Sequence, residues 1–154
     1  MEDQKQKDIE KLIRLCETAV EKYGSKDVTG DGIPETFCNH AVQYITSGMG
    51  YSKLGGLMAN DIVDFLLVSK DWARCDGVLA QGAANNGKLA IAALKDSPHG
   101  HVAVCYPGGL TRSGKWQKAV PMVANVGKEN FIKGANFAFR EEPMYFVLND
   151  LKEE

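Results

Sequence analysis

Residues 89–106 read LAIAALKDSPHGHVAVCY. Two largely apolar runs, 89–94 and 101–106, flank a turn that ends in Gly100. Short apolar runs bounded by turn residues are typical of buried strands. The stretch therefore predicts two successive strands of a sheet, with His101 at the start of the second.

Helical periodicity precedes this stretch. Apolar residues recur at helical spacing from Ile9 to Tyr23, and Gly24 is a suitable C-terminal cap. Further helices are predicted from Thr36, over 58–70 and over 77–86, and further strands over 120–126, 135–139 and 145–148. Helices followed by strands predict an α+β fold, in which N-terminal helices pack on a small antiparallel β-sheet.

The composition limits the class of protein. A chain of 154 residues can bury its own core, so 1–154 is predicted to be a single domain. The net charge is -2 and the basic residues are scattered, which argues against a nucleic-acid partner. No apolar run is long enough to span a bilayer, and residues 1–11 lack the apolar segment of a secretory signal. The protein therefore stays inside the cell, leaves by a route that needs no such signal, or has lost its leader.

The chain has four cysteines, Cys16, Cys38, Cys75 and Cys105. Four cysteines allow two disulfides in three pairings. Cys16 falls on the apolar face of the first helix and Cys105 in an apolar strand, so both are expected to be small buried side chains. We therefore expect the thiols to stay free.

Cys38 lies in Thr36-Phe37-Cys38-Asn39-His40, where Thr36 is a suitable N-cap for the next helix. In the first turn of a helix, backbone N–H groups lower the pKa of a thiol and can also hold an oxyanion. These features favour a nucleophile that forms an acyl-thioester with a substrate. The alternative is a core thiol, because free cysteine is among the most buried residue types.

His101 is the histidine best placed to activate this thiol. In a strand it shares a face with Ala103, and such a small side chain would let a helix approach closely. That geometry would bring His101 near Cys38. The alternatives are His40, which would point away from Cys38 on the same helix, and His99, which lies in the turn.

A catalytic imidazole needs a third group that fixes its tautomer. Asn125 is the first candidate, because it is a polar residue in the apolar run 123–126 and a buried amide needs a partner. Gln117, in a more polar stretch, is the second candidate. An edge-strand asparagine that bonds only to backbone would produce the same pattern as Asn125.

Together these segments resemble the papain-like cell-wall hydrolases of the CHAP amidase and NlpC-type peptidase superfamily. The likeness covers roughly residues 36–148, and its most specific parts are Cys38-Asn39 and Gly100-His101-Val102-Ala103-Val104. Weaker matches are Trp72, Ala80-Gln81, Ala84-Asn85, Gly87, Ala90-Ile91-Ala92, Pro107-Gly108 and Val120-Pro121-Met122-Val123-Ala124. The resemblance implies a papain-like fold with 36–148 as its catalytic core and 1–24 as an N-terminal helix. The loop between the His101 and Asn125 strands is longer than in that pattern.

The resemblance also implies a function. Such relatives cut amide bonds of peptidoglycan, within the stem peptide or between sugar and peptide. The implied roles are Cys38 as nucleophile, His101 as general base and Asn125 as orienting residue, with no metal or organic cofactor.

The setting implied by the resemblance is the periplasm or the cell wall, where the partners are peptidoglycan stem peptides. A phage lysin, a secreted toxin and a trimmed exported enzyme all fit, and the toxin would add an inhibitory partner protein. Two other functions stay open: a protein-directed acyltransferase or deamidase with the same triad, and a non-catalytic wall-binding module.

The segment Asp27-Val28-Thr29-Gly30-Asp31-Gly32 is similar to the first half of a calcium-binding loop. Position twelve of such a loop should be an acid, and here it is Cys38. A tight turn rich in Asp and Gly accounts for the same residues. No metal site is therefore predicted.

Overall fold

The computed structural model describes residues 2–24 and 37–150. Its helices are α1 (Glu2–Lys22), α2 (Cys38–Gly48), α3 (Ala59–Val68), α4 (Gly77–Asn85) and α5 (Ala135–Ala138). Its strands are β1 (Trp72–Cys75), β2 (Ala90–Leu94), β3 (His101–Cys105), β4 (Thr111–Ser113), β5 (Lys118–Val120), β6 (Met122–Asn125), β7 (Phe131–Gly134) and β8 (Met144–Leu148). N-terminal helices and an antiparallel sheet of six strands confirm the predicted α+β fold.

The main sheet has the strand order β1-β8-β2-β3-β6-β7, and all its neighbours are antiparallel. The predicted strand pair is β2 and β3, and it is central, with Leu94 opposite His101. In the β3–β6 pair Val104 lies opposite Ala124, so the same register sets Ala103 opposite Asn125. Because side chains two residues apart share a face, His101 and Asn125 emerge on the same side of the sheet.

Helices cover this sheet and form the core with it. Helix α1 packs on α2, and α2 in turn packs on β3. Ala103 is completely buried, which fits the prediction that a small residue here lets a helix approach the strand. The buried positions of α1 are Leu12, Cys16 and Ala19, so the predicted apolar stripe does face the core.

The long connection between β3 and β6 contains a second, two-stranded sheet made of β4 and β5. The predicted strand 120–126 is divided, because Pro121 separates β5 from β6 and has no N–H to donate to a ladder. The Pro121 carbonyl instead accepts a hydrogen bond from the N–H of Ala135. The loop that was expected to be long thus carries its own hairpin.

One predicted strand, 135–139, is wrong. Residues Ala135–Ala138 form the short helix α5, and the actual strand in this region is β7, just before it. A short apolar run has no period that distinguishes a strand from a buried helical turn. The strands β1, β4 and β7 and the first two residues of β5 were not predicted, because none of these segments is a continuous apolar run or a clear alternation of apolar and polar residues.

The cysteines behave as predicted. All four thiols are free, and Cys16 and Cys105 are completely buried. Within residues 2–24 and 37–150, the structure contains no helix long and apolar enough to cross a bilayer.

Candidate active site

Three chain segments meet at one cavity. Cys38 is the first residue of α2, His101 the first of β3 and Asn125 the last of β6. All three line a cavity of about 500 Å³. The structure therefore brings together the three residues that the sequence analysis singled out.

The imidazole of His101 is held by Asn125. The Nε2 atom of His101 lies 2.5 Å from the Oδ1 atom of Asn125, and the Asn125 Nδ2 group donates to the Glu129 carbonyl at 2.9 Å. With its N–H₂ group used in that way, Asn125 presents an acceptor oxygen to the ring. The proton of a neutral imidazole then resides on Nε2, which leaves the lone pair of Nδ1 as the base.

Phe139 covers the same ring. Its centroid lies 4.8 Å from that of His101 with an interplanar angle of 55°, and its side chain is buried. Burial lowers the pKa of His101 below its ordinary value of 6.5, and the hydrogen bond with Asn125 opposes that shift only in part. The imidazole is therefore neutral at pH 7 and able to accept a proton.

Cys38 is buried, with 8% of the residue exposed, and it begins the helix α2, which packs against β3. Burial raises the pKa of the thiol above the ordinary value of 9.0, while backbone hydrogen bonds at Val102, Asn39 and Cys38 itself act in the opposite direction. The expectation of a thiol pKa lowered by the helix N-terminus is therefore wrong, because desolvation exceeds the effect of the N–H groups. The bond at Val102 sets the sulfur beside the residue that follows His101.

The N-terminus of α2 differs in detail from the prediction. The N-cap is Phe37, which makes no side-chain capping bond, whereas Thr36 was the predicted N-cap. Thr36 lies outside the described residues. Cys38 consequently occupies the very first helical position, where its own N–H has no partner within the helix.

Gly100, directly before His101, lies where two other segments come close. A Cβ atom at this position would approach the Leu94 carbonyl to 2.7 Å and would overlap the carboxamide of Asn60. Asn60 holds the β2–β3 turn, since its Nδ2 group donates to the Asp96 carbonyl at 2.7 Å and its Oδ1 accepts from the Asp96 N–H at 3.1 Å. Only glycine fits between the Asn60 side chain and the Leu94 carbonyl, which accounts for the glycine directly before His101.

Neither Asn60 nor Phe139 was predicted from the sequence to belong to the site. Their partners, Asp96 and His101, lie about 36 to 38 positions away in the chain, and only the folded structure brings them together. A polar residue in the first turn of a predicted helix was the one available signal for Asn60, and it points to many roles besides this one.

The alternative candidates do not take part in this arrangement. Gln117 is exposed in the β4–β5 hairpin, with a backbone φ of 55°. His40 is exposed and packs on Phe37 and Tyr23. His99 is exposed in the turn, although it lines a cavity that also includes Cys38.

Among the other thiols, Cys75 alone is partly exposed. It lines a separate cavity of about 570 Å³ together with Arg74, Asp76, Lys118 and Glu142, and none of the three histidines lines that cavity. Burial, followed by the charge of Asp76, raises the pKa of Cys75 to about 11. A thiol with no base beside it and a raised pKa is a poor nucleophile.

Within the part of the chain that the structure describes, no group of three or more His, Cys, Asp or Glu side chains is arranged to hold a metal ion. The calcium-like segment, 27–32, lies outside the described residues.

In the comparison with known proteins, no protein-family model matches the chain, and no curated protein matches it.

Proposed function

We propose that this chain is a cysteine-dependent hydrolase that cuts amide bonds of bacterial peptidoglycan. The observation that carries the chemistry is the neutral imidazole of His101, fixed by Asn125, in the same cavity as the Cys38 thiol. Thiol, base and orienting amide are the groups that acyl transfer through a thioester requires. The substrate class is supported by the resemblance of Cys38-Asn39 and 100–104 to papain-like cell-wall hydrolases.

In the proposed mechanism, the Nδ1 atom of His101 takes the thiol proton as the sulfur attacks the amide carbon. A C–S bond forms, and the carbonyl oxygen becomes an oxyanion that the N–H of Cys38 stabilises. Protonated His101 then donates its proton to the leaving amine, and the C–N bond breaks. Water, deprotonated by the same imidazole, attacks the thioester and releases the acid and the free thiol.

Asn125 contributes to these reaction steps through His101. Its acceptor oxygen holds the Nε2 proton, so the base always presents Nδ1 to the reacting groups. It also stabilises the imidazolium that exists between the two proton transfers, since a hydrogen bond to the charged form favours that form. The buried ring of Phe139 packs on the imidazole and reduces its contact with water.

The direct test uses Cys38→Ala and purified sacculi, with release of new amino groups as the readout. We expect the variant to be slower than the wild type by at least about a thousandfold, because removal of a nucleophile abolishes the covalent route. Cys75→Ala is the matched control, since it removes the one partly exposed thiol among the described cysteines and is expected to retain activity. Release at the wild-type rate by Cys38→Ala would contradict the proposal.

Mass spectrometry of the products separates the alternatives. Hydrolysis leaves a free acid, whereas an acyltransferase with the same triad leaves a new amide on an amine acceptor. A wall-binding module would sediment with sacculi without releasing amino groups. A free carboxyl group at the new end, formed only when Cys38 is present, is the outcome that we expect.

A further inference from the structure

Two cavities meet at Cys38. The first, the His101 cavity, has a volume of about 500 Å³ and is lined by His101, Lys128, Glu129, Phe131 and Phe137. The second, the Met58 cavity, has a volume of about 560 Å³ and is lined by Phe37, Met58, Asn60, Pro98 and His99. Cys38 and Gly100 line both, so the thiol sits at the junction of the two cavities.

The two cavities differ in chemistry. Lys128 and Glu129 give the His101 cavity charged groups of both signs, and neither has an ion-pair partner among the residues that the structure describes. Among the described residues that line the Met58 cavity there is no lysine, arginine or carboxylate, and its ionisable side chains besides the thiol are His40 and His99. Each cavity also has one large exposed apolar side chain. It is Phe137 in the His101 cavity, where 65% of the residue is exposed, and Met58 in the Met58 cavity, where 58% is exposed. Exposed apolar groups beside a nucleophile are suited to contact a substrate.

The position of His101 determines which part of a bound substrate occupies each of the two cavities. The imidazole must reach the nitrogen of the leaving amine to protonate it, and a general acid acts only within hydrogen-bond distance. His101 lines the first cavity and not the second. The leaving amine therefore belongs in the His101 cavity, and the acyl group, on the other substituent of the attacked carbon, extends into the Met58 cavity.

We propose that Met58 selects the acyl group of the substrate and Phe137 selects the amine, on opposite sides of Cys38. This assignment rests on the thiol chemistry of the proposed function, but not on peptidoglycan as the substrate. It also describes the substrate: an amide with a partly apolar acyl portion that contacts Met58, and an amine portion that bears an ionised group within reach of Lys128 or Glu129.

The test uses simple acyl donors and amine acceptors with the full chain. With p-nitrophenyl acetate or hexanoate, the Cys38 sulfur bonds to the carbonyl carbon, the ester C–O bond breaks and p-nitrophenolate leaves. The thiol proton passes to His101, which releases it to solvent before the next step. An added amine, glycinamide or phenylalaninamide, then attacks the thioester. A C–N bond forms, the C–S bond breaks, and an amine proton returns to the sulfur through His101. Intact-mass analysis locates the acyl group on Cys38.

Two ratios report the two sides separately. The acyl side is read from the hexanoate-to-acetate ratio of acylation rates, which we expect to fall about threefold or more in Met58→Ala and to stay unchanged in Phe137→Ala. The amine side is read from the phenylalaninamide-to-glycinamide ratio of aminolysis rates. That ratio is expected to fall about threefold or more in Phe137→Ala and to stay unchanged in Met58→Ala. Val68→Ala is the matched control, because Val68 is 81% exposed at the end of α3 and lines neither cavity.

The outcomes separate this inference from the proposed function. If each variant changes the ratio of the opposite side, or if Cys38 is never acylated, the assignment of the two sides is overturned. If the acyl donors give the expected pattern while the wild type releases nothing from sacculi, the assignment stands and the peptidoglycan substrate is wrong. Thermal unfolding of each variant checks that these exposed truncations leave the fold intact.

Discussion

At Cys38 two opposing effects act on one thiol. A helix N-terminus favours an anion by about 0.3–1 kcal/mol in ordinary cases. Removal of a charged group from water without a full partner costs several kcal/mol. The structure combines both, and burial prevails, so the pKa of Cys38 is raised while that of His101 is lowered. The resting pair is therefore a neutral thiol and a neutral imidazole, and the proton has to move during the attack.

This neutral pair predicts two different pH profiles. With Cys75→Ala as background, alkylation of Cys38 by iodoacetamide should accelerate about tenfold per pH unit between about pH 6 and 9, because only the thiolate reacts. Turnover instead needs neutral His101, so kcat/KM should fall only below pH 6.5, as the pH drops through the lowered pKa of His101. The two rates are measured on the same preparation.

The contrary result is equally specific. If a thiolate–imidazolium pair were already formed at rest, iodoacetamide would alkylate Cys38 at a nearly constant rate from mildly acidic to neutral pH. A plateau of that kind would show that the charged pair is the resting state. Peptide mapping has to locate the label on Cys38, because the thiols of Cys16 and Cys105 are also present in this variant. Both are completely buried in the native state.

Among the elements, α4 holds the far end of the catalytic strands. Its Gln81 side chain is buried, and its Nε2 group donates to the Tyr106 carbonyl at 2.9 Å, just after β3. Its Oε1 atom accepts from the Met122 N–H at 2.8 Å, at the start of β6. One amide thus joins the strand that carries His101 to the strand that carries Asn125. This structural role accounts for a residue that the sequence analysis noted only as a family likeness.

Gln81→Ala should destabilise the protein without removing any catalytic group. The substitution leaves the Tyr106 carbonyl and the Met122 N–H without their partner, at a cost of about 2–3 kcal/mol in the free energy of unfolding. Urea unfolding followed by circular dichroism measures this change. The control is Gln6→Ala on the exposed face of α1, which should stay within about 0.5 kcal/mol of the wild type. A similar loss in both variants would show that the Gln81 bridge contributes nothing specific.

Elements with a helical period, or with an apolar run bounded by turn residues, were predictable from the sequence, and the others were not. The strands β2 and β3 and the helix α1 follow from apolar runs or helical spacing, whereas α5 and β7 lie in a short apolar region that fits either structure. Asn125 was identified because a polar residue interrupts an apolar strand. Phe139 could not be, because an aromatic residue in an apolar run indicates only burial, and its contact with His101 depends on the tertiary fold.

For the whole molecule, the buried titratable groups make stability depend on pH. His101 has a lower pKa in the folded state than its ordinary value of 6.5, so below that pH the unfolded chain binds more protons than the folded one. Stability therefore decreases as the pH falls below 6.5. The four thiols have raised pKa values in the folded state, so above pH 9.0 the unfolded chain loses more protons and stability decreases again.

The acidic side of this dependence can be assigned to one residue with His101→Gln. The wild type has to protonate a buried imidazole in acid and the variant does not, so the stability difference between them should shrink as the pH falls from about 7.5 to about 5. Urea unfolding at each pH gives the two free energies, and His40→Gln, at an exposed histidine, controls for the loss of a histidine as such. A difference that instead grows in acid would mean that the folded state favours the imidazolium, as in an ion pair with the Cys38 thiolate. The neutral resting pair, and with it the proton transfer assigned to the attack step, would then be wrong.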